Sequence, residues 1–292
     1  MRKIIRNLKK IVPAKIFLSI KYGRVFNERI NWRNPVRFNE KLQWLKLYDK
    51  KKIYTVIVDK YKCKEYVSNI IGEKYIIPAY GCWDTFSKID FSKLPEQFVL
   101  KCTHDSGGVV IVKNKDAFDY KENKVFFDNK LKENYYYDSR EWPYKHVKPR
   151  IIAEKLLHSN NESGIQDYKL QCFDGKFDNI LVCVGRNSIN GVRYYYFDRD
   201  WNYLPYSDYD YVDKSEFGSL KPNRFDEMIE IAEKLSKGFT ELRVDLYESE
   251  NQLYFGELTL FTSSGFDLTI TKEADLILGT KLKLPNTISR DE

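Results

Sequence analysis

A lysine followed by a short glycine-rich loop is the first pattern in the sequence that suits a chemical role. In 101-KCTHDSGG-108, Lys101 ends a predicted strand, and Gly107 and Gly108 let the loop backbone come close to a bound group. The N–H groups of such a loop can converge on phosphate oxygens, and the lysine adds a compact positive charge. The segment lacks the G-x-x-x-x-G-K-[ST] spacing of a Walker A loop. A Gly-Gly turn between strands is also a common structural hairpin, so the motif alone leaves both interpretations open.

Polar residues on two later predicted strands form the second pattern. Alternation along a strand puts Arg243 and Asp245 on one face. Glu257 and Thr259 share a face of the following strand in the same way. Burying these charges is costly unless they bind something, and carboxylates on adjacent strands suit Mg²⁺, which commonly bridges carboxylates to phosphates. The residues between them are apolar, so the opposite face of each strand is an equally good candidate for the buried one.

Shorter motifs are less specific. The segments 59-DK-60, 154-EKLL-157 and 167-DYK-169 each place a carboxylate or a lysine near the end of a predicted element, where such residues are usually solvated. The tripeptide 198-DRD-200 matches the D-x-D metal motif of sugar-nucleotide glycosyltransferases. It follows a Tyr-rich strand and precedes Trp201-Asn202, so a hairpin turn is the simpler interpretation.

The elements that must position these residues follow from periodicity. Predicted helices cover the segment around Phe38–Leu47, the segment from Thr55 to Ile70 ending at Gly72, parts of residues 116–148, and Phe225–Phe239. Predicted strands cover residues 75–83, 98–102, 109–112, 151–157, 168–173, 177–185, 192–197, 242–247 and 253–260, with a hairpin turn at Asp174-Gly175. Helices precede a mixed region and then antiparallel strands, which predicts an α+β or α/β fold in compact lobes.

Composition and charge restrict the function classes. The 292 residues are 42% hydrophobic and 31% charged, with a formal charge of +7 that favours anionic partners. No nucleic-acid motif accompanies that charge, so no nucleic-acid partner is expected. The five cysteines occur singly, which favours free thiols in a reducing cytoplasm. No stretch approaches the ~20 apolar residues of a membrane helix.

The N-terminus predicts a short basic amphipathic helix. Ile4, Ile5, Leu8, Ile11 and Val12 recur at helical spacing among lysines and arginines, up to Pro13. Two interpretations stay open: a peripheral contact with the inner face of the membrane, or a helix docked on the protein with its lysines in water.

The order of the motifs is more specific than any one of them. The series of D-K, the strand lysine with its glycine loop, E-x-L-L, D-x-K, R-x-D and 257-ELTLFTSSG-265 resembles the ATP-grasp superfamily. Within it, the sequence resembles the TupA-like ATP-grasp family, which is linked to bacterial surface-polysaccharide and teichuronopeptide synthesis. The resemblance runs from about Phe38 to about Phe266 and includes 78-PAYGCWD-84, 140-REWPYK-145 and 198-DRDWNYLPY-206.

The resemblance implies an ATP-grasp fold of two α+β lobes gripping a nucleotide, with an N-terminal helical extension. On this basis residues 1–55 form the helical segment, residues 56–155 the N-terminal and small lid lobes, and residues 156–292 the large lobe with the metal site.

The resemblance also implies roles for particular residues. Arg243, Lys101 and Lys169 are the expected catalytic residues, with Arg243 against the transferred phosphate. The expected ATP contacts are Lys60, Lys101, the lid residues His104, Ser106, Gly107 and Gly108, Glu154 at the adenine amino group, the backbone near Leu156 and Leu157, Lys169 and Arg186. Asp245 and Glu257 are the expected Mg²⁺ ligands.

The sequence departs from the family pattern at two places. Thr259 stands where D-alanine–D-alanine ligase-type enzymes have an asparagine ligand, and is a weaker one. The family loop usually reads N-H-G-S-G, whereas Thr103 and Asp105 occur here. Because an acidic side chain beside ATP phosphates is repulsive, Asp105 is expected to point outward, or the loop to differ from that of the family.

The resemblance therefore predicts a cytoplasmic, ATP- and Mg²⁺-dependent ligase that forms an amide bond through an acyl phosphate. The expected acid is a small molecule or glycan carboxylate, such as a uronic acid of a capsular or other surface-polysaccharide precursor, and the expected amine is an amino acid or similar. Two other classes stay open: a glycosyltransferase that uses 198-DRD-200, and a non-catalytic module that binds a glycan or the membrane surface through the basic N-terminal helix and the lysines of residues 113–132.

Overall fold

The computed structural model describes residues 10–158, 165–184, 191–208, 212 and 214–285, which fall into two compact units. One unit is Lys52–Leu157, and the other combines Met1–Lys51 with His158–Glu292. We call them the small unit and the large unit. The functional roles assigned above to the three predicted lobes stay predictions.

The described chain alternates helices with short strands. The helices are α1 (Ala14–Phe26), α2 (Phe38–Tyr48), α3 (Ile53–Val58), α4 (Lys62–Ile71), α5 (Tyr120–Lys130), α6 (Tyr136–Ser139), α7 (Phe225–Ser236) and α8 (Lys272–Lys281). The strands are β1 (Ala79–Trp83), β2 (Phe98–Cys102), β3 (Val109–Val112), β4 (Ile151–Lys155), β5 (Asp167–Phe173), β6 (Lys176–Val184), β7 (Arg193–Phe197), β8 (Tyr203–Leu204), β9 (Glu241–Ser249) and β10 (Gln252–Thr259). No described helix combines the length and the apolar character needed to cross a membrane.

The small unit is built on a four-stranded antiparallel sheet in the order β1-β4-β2-β3. Its core is rich in phenylalanine: Phe98 from β2 and Phe127 from α5 are fully buried, and Phe86 stacks on Phe127 with ring centroids 5.8 Å apart. This packing fixes α5 against the sheet, beside the loop that follows β2.

The large unit is built on a six-stranded antiparallel sheet in the order β10-β9-β5-β6-β7-β8. The amphipathic α7 packs on β5, β6 and β9 and buries Met228, Ala232 and Leu235. The register places Lys169 of β5 opposite Asp245 of β9, and Asp245 opposite Glu257 of β10. Three predicted site residues therefore form one row across adjacent strands.

Of the two fold classes left open by the sequence, the structure shows α+β, because both sheets are antiparallel. The turn at Asp174-Gly175 is confirmed, with both residues at positive φ (49° and 72°), as a tight hairpin requires. The strand predicted from residue 75 begins only at Ala79. Pro78 lies just before it and has no N–H to donate to a neighbouring strand.

The single helix predicted from Thr55 to Ile70 is wrong, because the chain forms α3 and α4 with a break between them. The Asp59 carboxylate accepts hydrogen bonds from the N–H groups of Tyr61 and Lys62, at 3.0 and 3.3 Å. An aspartate that accepts the free N–H groups of the first helical turn acts as an N-cap, so a separate helix starts after Asp59. The predicted end at Gly72 is confirmed, since this residue follows α4 at φ 101°.

The tripeptide 198-DRD-200 lies in the turn between β7 and β8. One oxygen of the Asp198 carboxylate accepts the N–H groups of Asp200 and Asn202, at 2.9 and 2.8 Å. The side chain therefore organises the turn, which agrees with the simpler of the two interpretations.

The N-terminal helix predicted within residues 1–12 falls mostly on residues 1–9, which lie outside the described residues. The next helix, α1, begins directly after Pro13 and was not predicted. Its buried residues, Leu18 and Tyr22, are four apart and face the large unit.

Two helical glycines of the large unit, one on α8 and one on α1, test how closely α8 packs on the segment before α2. A Cβ atom added at Gly279 of α8 would lie 2.2 Å from the Val36 carbonyl oxygen, whereas at Gly23 of α1 the nearest atom would be 3.7 Å away. We expect Gly279→Ala to lower the free energy of unfolding by about 1–3 kcal/mol because backbone must move. Gly23→Ala should raise it by about 1 kcal/mol through helix propensity.

The measurement is urea unfolding followed by circular dichroism. Equal stability of the two variants would show that α8 does not pack this closely on the segment before α2.

Candidate functional site

A cluster of charged side chains lies on β5, β9 and β10 of the large unit. Arg243 donates to both oxygens of Asp245, from Nε at 2.7 Å and from Nη2 at 2.8 Å. Lys169 also donates to Asp245, and its Nζ lies 2.7 Å from an oxygen of Asp167. The cluster therefore centres on the Asp245 carboxylate, which two cations share.

The ion pairs keep these buried groups in their charged forms. Asp245 is only 3% exposed, and burial by itself raises the pKa of its carboxyl, but Arg243 and then Lys169 outweigh burial and hold that pKa below its ordinary value. Burial likewise lowers the pKa of the Arg243 guanidinium, and the neighbouring Asp245 raises it further than burial lowers it. All three groups are charged at neutral pH.

Glu257 and Thr259 complete the predicted set on β10. The Thr259 hydroxyl donates to Glu257 Oε1 at 3.0 Å, and the same oxygen lies 3.8 Å from Arg243 Nη2. The Glu257 side chain is 43% exposed, so its carboxylate is accessible from solvent. Glu257 and Thr259 thus lie on one face of β10, as predicted from the period of a strand.

The donor set fits a divalent cation. With Asp167 included, the cluster has three carboxylates and two cations, a formal excess of one negative charge. Among the described residues there is no group of three or more His, Cys, Asp and Glu side chains arranged to hold a metal by themselves. A cation on Asp245 and Glu257 would take its remaining ligands from water or substrate oxygens, as Mg²⁺ commonly does.

A cavity of about 470 Å³ lies beside the cluster, within the large unit. Lys169 and Arg243 line one part of it, and the hydroxyl-rich segment after β10 lines another with Thr262, Ser263 and Thr269. Apart from the Thr-Ser-Ser-Gly run, no sequence motif predicted this wall of the cavity.

The segment after β10 is held in shape by buried polar residues of α2. Gln43 donates to the carbonyls of Gly265 and Ser264, at 2.5 and 3.1 Å, and Lys46 donates to the Ser264 carbonyl at 2.6 Å. Ser263 and Ser264 have φ of 49° and 56°, a left-handed conformation that costs free energy in non-glycine residues. Lys46 is 1% exposed, so its charge is stabilised by these carbonyls.

Sequence reasoning missed this support, since it used only the apolar face of α2. Polar side chains on a helix are ordinarily solvated, so no sequence signal marked Gln43 and Lys46 as buried.

Asp267 ties the same segment together. One carboxylate oxygen accepts from the backbone N–H and the hydroxyl of Thr269, at 2.9 and 2.6 Å, and the other accepts from the Ser263 hydroxyl at 3.1 Å. Its own N–H donates to Asn39 of α2 at 2.9 Å. Asp267 thereby fixes where the hydroxyl groups of the cavity wall lie.

In the small unit, one buried carboxylate is shared by two lysines. Lys101 on β2 and Lys64 on α4 each place Nζ 2.6 Å from an oxygen of Glu154 on β4. Burial alone raises the pKa of this carboxyl, but the ammonium groups of Lys101 and Lys64 outweigh burial and hold the pKa below its ordinary value. Lys64 was not predicted, because a lysine on an amphipathic helix is ordinarily solvated.

In the loop after β2, the side chain of Asp105 accepts a hydrogen bond from the loop backbone. Asp105 is buried, and its Oδ1 accepts the N–H of Gly108 at 3.3 Å, so the expectation that Asp105 points outward is wrong. The side chain turns inward because it supplies an acceptor for the loop backbone. A Cβ atom at Gly108 would lie 2.6 Å from Asp105 Oδ2, which explains the glycine. Lys60 donates to the Asp105 carbonyl.

The other lid residues differ in exposure. Ser106 and Gly107 are exposed at the tip of the loop, whereas the His104 ring is buried and its Nε2 donates to the Lys130 carbonyl at 3.1 Å. Burial lowers the pKa of His104, so the ring is neutral at pH 7 and this nitrogen is already engaged. Leu156 and Leu157 are half-buried after β4.

The structure thus brings the predicted residues together as two clusters. Lys169, Arg243, Asp245, Glu257 and Thr259 meet in the large unit, and Lys101 meets Glu154 in the small unit. Arg186 lies outside the described residues. The ligand roles of these residues stay predictions.

Comparison with known proteins gives a family match and distant structural neighbours. The family model described as TupA-like ATPgrasp matches residues 40–283. A search of curated proteins found no match.

Among solved structures, D-alanine–D-alanine ligase from Helicobacter pylori is 14% identical, with 84% of this chain and 69% of that chain covered at a TM-score of 0.45. The Bacillus anthracis ligase complexed with ATP is 15% identical, with 78% and 62% covered at 0.43, so the chain spans less than two thirds of it. A RimK domain ATP-grasp protein from Sphaerobacter thermophilus is 10% identical, with 80% and 70% covered at 0.44.

The shared carboxylate of the small unit predicts a pH-dependent stability. Glu154→Gln leaves Lys64 and Lys101 without their counter-ion, so we expect the free energy of unfolding at pH 7 to fall by about 3 kcal/mol. Because the folded-state pKa of Glu154 is depressed, its contribution is complete above the ordinary pKa of 4.5 and is lost as pH falls below it. The difference in the free energy of unfolding between wild type and variant should therefore become smaller as the pH falls below 4.5.

Urea unfolding monitored by tryptophan fluorescence at several pH values measures this difference. Glu65→Gln, at an exposed glutamate of α4, is the matched control and should change stability by less than about 0.5 kcal/mol. A difference for Glu154→Gln that stays constant down to acidic pH would contradict the assignment of a charged, lysine-paired Glu154.

Proposed function

The chain belongs to the TupA-like ATP-grasp family, and from this premise we propose that it is an ATP- and Mg²⁺-dependent ligase that joins a carboxylate to an amine. The family match confirms the ATP-grasp fold expected from the motif order. The observation that supports the reaction most directly is the row of Lys169, Asp245 and Glu257 on adjacent strands, with Arg243 bound to its centre.

The charges of this row suit phosphoryl transfer. A carboxylate and ATP repel each other, so the site must present positive charge where negative charge develops. In our proposal Arg243 and Lys169 present that charge to the transferred phosphoryl group and to the acyl phosphate. Their pairing with buried Asp245 holds both side chains in place before substrates bind, which lowers the cost of organising the site.

Asp245 and Glu257 are the proposed Mg²⁺ ligands, with Thr259 as a weaker third oxygen donor. When bound, Mg²⁺ would neutralise phosphate charge and withdraw electrons from the phosphoryl group. The excess of one carboxylate over the two cations and the exposure of Glu257 support this assignment.

Lys60, Lys101 and the loop residues His104, Ser106, Gly107 and Gly108 are the proposed contacts for ATP phosphates. Glu154, Leu156 and Leu157 are proposed to surround the adenine, and Arg186 to contact phosphate or acyl oxygens. In the described conformation Lys101 is paired with Glu154 and Lys60 with the Asp105 carbonyl. ATP phosphates would therefore have to replace these partners, which couples nucleotide binding to a change in the loop.

The proposed reaction balances without a nucleophile from the protein. A carboxylate oxygen of the acid attacks the γ-phosphorus, and ADP leaves, which gives an acyl phosphate. The amine nitrogen then attacks the acyl carbon, inorganic phosphate leaves, and the nitrogen loses a proton to solvent. Because an acyl phosphate hydrolyses readily, a loop that excludes water would protect it.

The cavity of about 470 Å³ supports a small, polar acid as the substrate. Its volume is within the range of small-molecule pockets, and the hydroxyls of Thr262, Ser263 and Thr269 offer hydrogen bonds to a hydroxylated molecule. A uronic acid of a capsular or other surface-polysaccharide precursor, joined to an amino acid in the cytoplasm, fits this chemistry.

The glycosyltransferase alternative has less support, because its metal aspartate Asp198 binds two N–H groups of its own turn. One set of incubations separates the alternatives: ATP and Mg²⁺ with sugar acids and amino acids, and in parallel UDP-sugars with Mg²⁺, with ADP and UDP measured by chromatography. We expect ADP release that requires both an acid and an amine. Release of UDP from a sugar nucleotide instead, or no turnover at all, would contradict the ligase.

Variants of the metal pair test the assignment of residues. Asp245→Asn and Glu257→Gln should each lower the rate of ADP release by about 10²- to 10³-fold, since each removes an electrostatic contribution to the transition state. Glu230→Gln, at an exposed glutamate of α7, is the control and should keep the wild-type rate. Wild-type rates in both site variants would show that the metal is held elsewhere.

A further inference from the structure

The positive charge of this protein is concentrated at one end of the sequence. Residues 1–26 contain eight Lys and Arg residues and no Asp or Glu. Since the whole chain has 49 basic and 42 acidic residues, the other residues have 41 basic and 42 acidic ones and are close to neutral. A segment this different from the rest indicates a partner with negative charge.

The described part of this segment also exposes large apolar side chains. Ile16 and Ile20 of α1 are 53% and 50% exposed, and Ile11, just before the helix, is 78% exposed. Ile16 and Ile20 are four residues apart and therefore lie on one side of α1. Arg24 continues the same line and is exposed, and Lys10, directly before Ile11, is exposed as well. We call Lys10, Ile11, Ile16, Ile20 and Arg24 the basic apolar surface.

The opposite side of α1 fixes this surface outward. Leu18 and Tyr22 are buried in the large unit at 0% and 1% exposure. Ser19 accepts a hydrogen bond from the Trp32 indole at 2.9 Å, and the Lys21 ammonium lies 4.4 Å from the centre of the Phe266 ring. These contacts fix the rotation of the helix about its axis. Ile16 and Ile20 therefore stay exposed to solvent.

We propose that the basic apolar surface binds the surface of an anionic phospholipid membrane. Exposed isoleucines between cationic side chains match the boundary between acyl chains and headgroups, where apolar groups insert and Lys and Arg pair with lipid phosphates. A nucleic acid offers the negative charge but no apolar layer for Ile11, Ile16 and Ile20. The membrane is therefore the partner that satisfies both properties of the surface.

The binding is peripheral and reversible. A few isoleucines bury little area, and each Lys or Arg near an anionic surface strengthens binding about fivefold at physiological salt. The effect falls off within a Debye length of about 8 Å, so binding weakens as salt is raised. The proposal does not depend on the proposed ligase reaction, since it concerns a surface and not the charged cluster.

The test is co-sedimentation of the full chain with sucrose-loaded vesicles. One set is phosphatidylglycerol and phosphatidylcholine in equal amounts, and the other is phosphatidylcholine alone. We expect wild type to bind the anionic vesicles and to stay in solution with the neutral ones. Ile16→Ser combined with Ile20→Ser, and Lys10→Gln combined with Arg24→Gln, should each weaken binding to anionic vesicles by about tenfold or more.

Matched controls exclude general effects of apolar or basic residues. Leu276→Ser with Ile277→Ser changes two exposed apolar side chains of α8, and Lys121→Gln with Lys132→Gln removes two exposed lysines of the small unit. Both control pairs should bind like wild type, and melting temperatures should show that every variant folds.

Three results would overturn the proposal. They are equal binding of wild type to anionic and neutral vesicles, binding of both surface variants as tight as that of wild type, and full competition by a DNA fragment. Loss of binding only in the two surface variants would establish it.

Discussion

The ion pairs around Asp245 are the interaction on which the rest of the large unit depends. Taking a carboxylate, a guanidinium and an ammonium out of water is costly, and only close mutual pairing offsets that cost. The antiparallel register of β5, β9 and β10 supplies the pairing, because it sets Lys169 and Glu257 on either side of Asp245. The order of the strands therefore determines both which charged side chains are buried and which of them pair with each other.

The small unit uses a similar solution with opposite charge. There a buried carboxylate, Glu154, is shared by Lys101 and Lys64, so this cluster has one positive charge in excess, whereas the cluster around Asp245 has one negative charge in excess. The buried polar residues of α2 extend the same principle to the backbone, since Gln43 and Lys46 stabilise a left-handed segment that lines the cavity. Polar groups that are buried and paired thus define both the shape and the charge of the candidate site.

The sequence predicted the strands well, because alternation and β-branched residues are local signals. It also predicted that Arg243 and Asp245 share a face, which follows from the period of a strand alone. It did not predict the break at Asp59, the inward turn of Asp105, or the partners of Lys64 and Lys46. Each of these depends on an acceptor or donor that only the folded chain brings near, such as the Gly108 N–H for Asp105 and the Ser264 carbonyl for Lys46.

Binding of Mn²⁺, a paramagnetic substitute for Mg²⁺, shows whether Asp245 and Glu257 hold a divalent cation. Mn²⁺ can be titrated into the protein with a non-hydrolysable ATP analogue, and free Mn²⁺ measured by electron paramagnetic resonance. Wild type should bind Mn²⁺ together with the nucleotide, and the variant with Asp245→Asn and Glu257→Gln should not. Equal Mn²⁺ binding by that variant and by wild type would show that the metal ligands lie elsewhere.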